Sequence, residues 1–217
     1  MPLTDAQIER YSRQIIVPRI GGRAQERLLG AKMLLAGDMR HLEQSLAYLV
    51  GAGVGSIHLA MPRTDRSNFD SLKKSMHELN PDVTTELDDA SAVPIDVALF
   101  IIGSDPARDL ADSLSTGTNL RACVVARLDQ PAKIAVLTSP SSCPRCADAS
   151  LLARVGARVA AADFVAMLAA AEAFKLLAGY YENPLSKHPF SMIIDFEGLQ
   201  TRSRAVTSPC TCANQAR

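Results

Sequence analysis

Lys32 to Ala60 read KMLLAGDMRHLEQSLAYLVGAGVGSIHLA, and the hydrophobic pattern of this stretch decides the fold of the chain. The apolar run at 32–36 predicts a buried strand, the segment 42–50 predicts a helix, and 56–60 predicts a second strand. A strand, a turn, a helix and a second strand at this spacing are typical of a Rossmann-like nucleotide-binding unit. The sequence therefore predicts an α/β fold with a mainly parallel sheet flanked by helices.

The turn between the first strand and the helix, residues 37–42 or GDMRHL, lacks most glycines of a nucleotide-binding turn. Such turns are rich in glycine because a diphosphate lies against bare backbone at the N-terminus of the helix. Gly37 is present, but Met39 and Leu42 take the places of the second and third glycines. The pattern therefore indicates the fold without its usual phosphate site.

The rest of the chain continues the alternation of helices and strands. Thr4 and Gln7 form a predicted capping box that opens a helix running to about residue 15. Pro18, Gly21 and Gly22 are expected to break it. Further elements are predicted as helices at 24–29, 70–79, 107–115 and 155–178, strands at 83–86, 95–102, 123–126 and 133–137, and a C-terminal antiparallel hairpin at 191–196 and 200–205. We expect an N-terminal helical arm for dimer or partner contact at residues 1–30, and the main domain at residues 31–217.

The composition excludes several classes of function. The 217 residues are 47% hydrophobic, enough for one large domain, and 23 basic residues balance 23 acidic ones. Without a net charge, no global field draws the chain to nucleic acid or to an anionic membrane. Charged residues interrupt the apolar segment 155–178, so a buried helix is expected there and not a membrane span. The N-terminus lacks the basic and apolar parts of a signal peptide, and we expect a cytoplasmic protein.

Six blocks of sequence carry a resemblance to a known family. In chain order they are ERYSRQII (9–16), AYLVGAGVGSI (47–57), SNF (67–69), LNP (79–81), CPRC (143–146) and EAFKLL (172–177). By these blocks the chain resembles, over nearly its whole length, the ThiF/MoeB/HesA family of the superfamily of ubiquitin-activating enzymes. Enzymes of that family use ATP and a divalent cation to adenylate the C-terminal glycine of a small ubiquitin-like or sulfur-carrier protein.

The resemblance implies roles for four residues at a nucleotide site. Gly37 stands in the nucleotide loop, and Asp105 matches the metal-binding aspartate, with a catalytic role and Mg²⁺ as its ion. Arg10 and Arg13 lie in the opening helix, from which an arginine of the family reaches into the partner subunit's ATP site. Other parts of the machinery are missing, since Met61 falls where the family has its ribose-binding acid and no phosphate-binding arginine follows the SNF block.

The cysteines indicate a metal site. The thiolates of a Cys-x-x-Cys pair bind one Zn²⁺, and this cysteine pattern suits metal binding in the cytosol better than a disulfide framework. Because the resemblance adds a second pair near the C-terminus, a structural zinc and a zinc-bound tail are expected on Cys143, Cys146, Cys210 and Cys212. The second pair is spaced Cys-x-Cys, so closure of the site stays open, with a reduced or partly oxidised knuckle as the alternative. Cys123 is expected in the core.

The histidines show no ligand spacing and are expected at surface or capping positions: His41, His58, His77 and His188.

Three hypotheses about function follow. The first is a degenerate, non-catalytic scaffold or partner subunit in the activation of a ubiquitin-like or sulfur-carrier protein. It would bind that protein or an active ThiF-like partner, in a homo- or heterodimer, and ATP with Mg²⁺ is not expected in its own cleft. The alternative is an active ATP-dependent adenylyltransferase with a rebuilt site that uses Asp105, Arg40 and either Lys73 or Lys74. The third keeps the Rossmann cleft for another small ligand.

Overall fold

The chain folds around one mixed sheet, in a computed structural model that describes residues 2–18, 20–87, 94–117, 120–138, 143–157, 159–180, 190–198 and 200–206. Eight strands of the described residues form the sheet: β1 (Lys32–Gly37), β2 (Ser56–Ala60), β3 (Thr84–Leu87), β4 (Val97–Ile102), β5 (Ala122–Arg127), β6 (Ala132–Thr138), β7 (Phe190–Asp195) and β8 (Gln200–Ala205). Their spatial order is β3-β2-β1-β4-β5-β6-β7-β8. Pairing is parallel from β3 to β5 and antiparallel from β5 to β8. The predicted mainly parallel sheet with an antiparallel C-terminal part is thus confirmed.

Helices cover both faces of the parallel part. The α-helices are α1 (Asp5–Arg10), α2 (Ser12–Ile15), α3 (Gly21–Gly30), α4 (Met39–Ala52), α5 (Phe69–Leu79), α6 (Asp105–Gly117), α7 (Pro144–Ala147) and α8 (Ala162–Leu177). Short 3-10 helices follow β2 at Arg63–Asn68 and α7 at Ala149–Leu152.

The central strands are buried on both faces, which explains their unbroken apolar sequence. In β4, Leu99 and Ile101 pack into a core that includes residues of α4, α5 and α8. Ala98 and Phe100 face the other side of the sheet, where residues of α6 complete a second core. Leu99 and Phe100 are fully buried, and each such side chain stabilises the fold by about 2 kcal/mol.

The N-terminal arm is tied to the domain by a buried tyrosine. Tyr11, between α1 and α2, is 1% exposed. Its hydroxyl donates to a carboxylate oxygen of Asp82 at 3.2 Å and accepts from Nδ2 of Asn80 at 2.9 Å. The same Asn80 nitrogen donates to the Val50 carbonyl oxygen at 2.7 Å. These contacts join the arm to the ends of α4 and α5.

Most predicted elements are confirmed, but two helices differ: the one predicted to run to about residue 15 is interrupted at Tyr11, and the one predicted at 155–178 begins at Ala162. Thr4 and Gln7 form the predicted capping box, with both reciprocal hydrogen bonds. The helix predicted at 24–29 is α3, and it begins at Gly21 and not at Ala24. Gly21 takes a φ of 65° and turns the chain into this helix. The predicted long buried helix is α8. Within the residues that the structure describes, no helix is long and apolar enough to cross a membrane.

Candidate functional site

The candidate site lies at the switch point of the sheet, between the carboxyl ends of β1 and β4. These strands are neighbours, and the chain continues outward from them in opposite directions, to β2 on one side and β5 on the other. Open α/β sheets bind their ligands in the crevice at this point. The chain leaves β1 at Gly37 and Asp38, and it leaves β4 at Gly103 and Ser104. The chemistry available to a ligand therefore depends on these two turns.

Gly37 is required by the contact between β1 and β4. It pairs in register with Ile101, at a φ of 155°. A Cβ atom at this position would lie 2.2 Å from the carbonyl oxygen of Ile101. Packing of the chain alone therefore explains this glycine, and its role in cofactor binding stays a prediction.

Two carboxylates occupy the turn where a nucleotide site presents free backbone amides. The hydroxyl of Ser104 donates to Oδ1 of Asp38 at 2.5 Å, which joins the β1 and β4 turns. Oδ2 of Asp65 accepts a hydrogen bond from the backbone N–H of Met39 at 3.0 Å. Met39 begins α4, and its amide is one of the free donors at the positive end of the helix dipole. An internal anion thus takes a position that phosphate takes at other helix termini.

His41 is a buried residue of the site, whereas a surface or capping position was expected from the sequence. Its side chain is 2% exposed, and its Nδ1 lies 2.7 Å from Oδ1 of Asp163 in the first turn of α8. A Cβ atom at Gly103 would lie 3.2 Å from the His41 ring and 3.1 Å from Oδ2 of Asp38. The ring is therefore enclosed between α4, α8 and the β4 turn.

Two buried polar atoms of this crevice have no hydrogen-bond partner among the described residues: Nε2 of His41 and Oδ2 of Asp38. In a neutral imidazole whose Nδ1–H donates to Asp163, Nε2 is an acceptor. In that tautomer both unpartnered atoms are acceptors.

The residues at the expected ribose and phosphate positions are apolar or solvated. Met61, where the family has an acid, is 1% exposed and belongs to the core. Lys73 and Lys74 are exposed on α5, and the ammonium group of Lys74 lies 3.9 Å from Glu78. Arg66 brings a cation to this strand end, where its guanidinium donates to the Met61 carbonyl oxygen at 3.5 Å.

Asp105 begins α6 directly after the β4 turn. Its carboxylate binds residues 153–156, which we call the crossing segment. Oδ1 accepts from the backbone N–H of Val155 at 3.1 Å. Arg108 and Arg154 form ion pairs with the same carboxylate at 3.3 and 3.7 Å. The Val155 hydrogen bond, aided by the two guanidinium charges, lowers the pKa of Asp105 against the opposing effect of partial burial. These contacts give Asp105 a structural task, while its metal-binding and catalytic roles stay predictions.

The same segment is fastened to the end of β5 by a buried arginine. Arg127 is 3% exposed, and its guanidinium donates to the carbonyl oxygens of Ala153 at 2.6 Å and Arg154 at 3.0 Å. It also forks onto Asp129, which accepts from the Gly156 N–H at 3.2 Å. Burial alone would raise the pKa of Asp129, but the hydrogen bonds from Arg127 and Gly156 outweigh burial and lower it.

Comparison with known proteins supplies the family. No protein-family model matches the chain. The vegetative HesA protein of Trichormus variabilis is 33% identical over 140 residues, which are 57% of this chain and 53% of that protein. The adenylyltransferase and sulfurtransferase uba4 of Pyricularia oryzae is 32% identical over 128 residues, 51% of this chain and 26% of that protein. The chain therefore spans between a quarter and about half of the length of these relatives.

A solved structure shows the same fold over nearly the whole chain. The crystal structure of Escherichia coli MccB with ATP superposes with a TM-score of 0.68 over 94% of this chain and 72% of that chain, at 15% identity. Together the relatives and the shared fold support a ThiF/MoeB-like member of the ubiquitin-activating-like proteins. The predicted family resemblance is thus confirmed.

The two arginines of the opening helix lie on the arm of this ThiF/MoeB-like chain. Arg10 forms an ion pair with Asp82 at 3.3 Å, with 41% of its side chain exposed. Arg13 is exposed and lines a surface pocket together with Tyr48 and Phe174. Asp82, the partner of Arg10, lies in the loop after α5. A role for either in a partner's ATP site stays a prediction.

The predicted zinc ligands of the ThiF/MoeB-like chain fall only partly on described residues. Cys143 is buried and caps α7, and Cys146 follows one helical turn later. Cys210 and Cys212 lie outside the described residues. Within the described residues, no cluster of three or more His, Cys, Asp or Glu side chains is placed to hold a metal ion. Cys123 is fully buried, as predicted. Its burial raises the pKa of its thiol, and the nearby Cys143 raises it further.

Proposed function

We propose that this chain is a non-adenylating ThiF/MoeB-like protein, a scaffold or partner subunit in the activation of a ubiquitin-like or sulfur-carrier protein. The observation that carries the proposal is the pair of carboxylates at the switch point. Asp65 accepts the Met39 amide at the N-terminus of α4, and Asp38 is held between the two turns by Ser104. A triphosphate would have to replace an anion that the chain itself supplies.

The magnitude of charge repulsion supports this reading. A phosphate charge about 4 Å from one such carboxylate loses about 4 kcal/mol at the effective dielectric constant of a protein surface. Micromolar binding corresponds to about 8 kcal/mol. One carboxylate therefore offsets about half of the free energy that a useful ATP site must provide.

The process in which the chain takes part is inferred from its family. The name of the uba4 relative describes an adenylyltransferase and sulfurtransferase. A chain of the same family without a phosphate site would bind either the carrier protein or an active ThiF-like subunit, in a homo- or heterodimer. In such a dimer Arg10 or Arg13 would complete the partner subunit's nucleotide site, because guanidinium groups fork onto phosphate oxygens.

Calorimetric titration with ATP and Mg²⁺ tests the proposal directly. We expect the wild-type chain to bind ATP with a dissociation constant weaker than about 1 mM. Micromolar binding by the isolated chain would contradict the proposal.

A variant tests the physical cause. The double substitution Asp38→Gly and Asp65→Ala is expected to bind ATP measurably, whereas Glu43→Ala, an exposed acid farther along α4, should behave like the wild type. If the double variant still binds no ATP, the carboxylates are not the obstacle, and the missing cations and ribose acid must account for the lost site.

The second candidate is an active adenylyltransferase with a rebuilt site. It is favoured by Arg66, which brings a guanidinium group to the end of β2, and by Asp105 at the end of β4. Pyrophosphate exchange in the presence of a candidate carrier protein distinguishes the two functions. Exchange that is lost in Arg66→Gln but kept in Arg23→Gln, an exposed arginine of α3, would establish the enzyme and overturn the scaffold.

We also propose a structural zinc ion on Cys143, Cys146, Cys210 and Cys212. A four-cysteine donor set fits tetrahedral Zn²⁺, leaves no open position for water and would fasten the C-terminal tail without catalysing a reaction. Thiolate ligands of this kind also fit a cytoplasmic, reducing compartment. Metal analysis of the purified chain should give about one zinc ion per chain, lost in Cys143→Ser and retained in Cys123→Ala. Equal zinc in the two variants would refute this ligand set.

A further inference from the structure

Two side chains of the switch-point crevice each have one polar atom paired and the other unpaired. Nδ1 of His41 lies 2.7 Å from Oδ1 of Asp163, and Oδ1 of Asp38 accepts a hydrogen bond from the hydroxyl of Ser104 at 2.5 Å. Nε2 of His41 and Oδ2 of Asp38 are buried, and neither has a partner among the residues that the structure describes. Because buried polar atoms are nearly always satisfied, this pair of acceptors indicates that a donor or a cation binds beside them.

Both unpaired atoms border one small space in front of Gly103. A Cβ atom at Gly103 would lie 3.1 Å from Oδ2 of Asp38 and 3.2 Å from Cδ2 of His41, the ring carbon bonded to Nε2. A methyl group of Leu128 closes a third side, also at 3.2 Å. The space that a side chain would fill is therefore lined by an imidazole edge, a carboxylate oxygen and a methyl group. Its size suits an ion better than an organic ligand.

The surroundings of this space favour a cation of the zinc class. The carboxylates of Asp38, Asp65 and Asp163 meet around the first turn of α4, where Asp65 offsets the positive end of the helix dipole. Imidazole nitrogen is a ligand for zinc, nickel and related ions, whereas Mg²⁺ and Ca²⁺ prefer oxygen ligands. A histidine that binds a metal also donates its second ring N–H to a carboxylate, and a ligating carboxylate is itself hydrogen-bonded. Asp163 and Ser104 supply these two outer contacts.

We propose that Nε2 of His41 and Oδ2 of Asp38 bind a divalent transition-metal ion of the zinc class. Asp163 and Ser104 act as positioning residues, because the first fixes the imidazole tautomer and the second the orientation of the carboxylate. No third His, Cys, Asp or Glu of the described residues completes the ligand set, so the remaining positions are open to water or to an oxygen atom of a ligand. The site is distinct from the Mg²⁺ site expected on Asp105 and from the cysteine site, and it does not depend on the proposed function.

Zinc counting in matched variants tests the proposal. The full-length wild type and each variant are dialysed against the same micromolar zinc buffer, and the bound zinc is measured by atomic absorption. We expect the wild type to hold about one zinc ion more per chain than Asp38→Asn, which keeps the acceptor for Ser104, and than His41→Gln. Glu43→Gln and His77→Gln, exposed positions of α4 and α5, should hold as much as the wild type. Zinc on the cysteines cancels in the comparison, because all these chains share the cysteines.

The positioning role of Asp163 has a readout of its own. In the chain loaded with Co²⁺, the Nδ1–H proton of His41 should give a hyperfine-shifted NMR signal that exchanges slowly with solvent, because the side chain is 2% exposed and pairs with Asp163. Asp163→Ala should weaken metal binding about tenfold or more and should make this proton exchange faster.

The other outcomes overturn the proposal. Equal zinc in the wild type and Asp38→Asn would contradict it, and so would zinc that is lost in Asp38→Asn but kept in His41→Gln. If His41→Gln does not fold, Asp38→Asn and the NMR signal of the wild type still decide, because a Co²⁺-loaded chain without that signal has no metal on His41. The ATP titration uses the chain freed of transition metals, so the proposed function and this metal site fail separately.

Discussion

The two turns that flank α4 differ in their glycines, and the difference separates the needs of the fold from those of a ligand. After the helix, Gly53 takes a φ of 84°, and a Cβ atom there would lie 2.8 Å from the Tyr11 ring. A Cβ atom at Gly55 would lie 1.9 Å from the carbonyl oxygen of Leu29. Before the helix, Gly37 is the one glycine, and it too is required by packing. The glycines that only a bound phosphate would require are absent.

The largest effect is expected at Gly55. Gly55→Ala forces the new methyl group onto the backbone of α3, and we expect a loss of about 3 kcal/mol in the free energy of unfolding. Gly51→Ala is the matched control, because a Cβ atom there meets nothing within 4 Å. In the last turn of α4 that change should stabilise the protein by about 0.5 kcal/mol. Urea unfolding followed by circular dichroism measures both, and equal stability of the two variants would refute the packing explanation.

A smaller loss of stability is expected at His41, in the first helical turn of α4. His41→Ala removes the buried ring between α4 and α8 and its hydrogen bond to Asp163. We expect a loss of about 2 kcal/mol, typical of a buried polar side chain with one partner. His77→Ala on the exposed face of α5 should stay within about 0.5 kcal/mol of the wild type. If His41→Ala is no more destabilising than His77→Ala, the region between β1 and α4 is not held by its own side chains, and a ligand function for this region gains support.

Replacing Asp65 should reduce the stability by about 1 kcal/mol and should also make the stability depend on phosphate. Asp65→Ala removes the anion from the N-terminus of α4, a change that costs about 1 kcal/mol at helix caps. The freed Met39 N–H should then donate to a phosphate oxygen, so phosphate should raise the melting temperature of the variant more than sodium chloride of equal ionic strength does. The wild type and Glu43→Ala should respond equally to the two salts. A variant that shows no preference for phosphate would mean that Asp65 does not occupy an anion position.

The same contrast explains how much was predictable from the sequence. The strand at Ser56–Ala60 was predicted to the residue because the glycine-rich turn before it and its own side chains form a local pattern. The switch-point contacts were not predicted, because they join residues far apart in the chain. His41 meets Asp163 across 122 positions, and Asp105 meets Val155 across 50. Local pattern indicates which face of an element is buried, but it does not indicate which polar groups will meet there.

The smallest effect concerns Asp105, which would bind a metal ion if the switch point were a nucleotide site. Its carboxylate is 37% exposed and its pKa is lowered, first by the Val155 amide. The unfolded chain therefore binds the proton more readily, and the stability that Asp105 contributes is present above the unfolded pKa of about 3.9 and disappears as the pH falls through the folded value.

Asp105→Asn tests this structural role through its pH dependence. The wild type should be more stable than the variant at pH 7, and the difference should close as the pH falls below about 4. Asp109→Asn is the control, since Asp109 pairs with Arg108 on the same helix at 2.8 Å but does not accept the Val155 amide. Urea unfolding between about pH 7 and pH 2 measures both differences. A constant difference for Asp105→Asn would show that the carboxylate does not hold the crossing segment, and the metal-binding role implied by the family would then be the better explanation for an aspartate at this edge of the sheet.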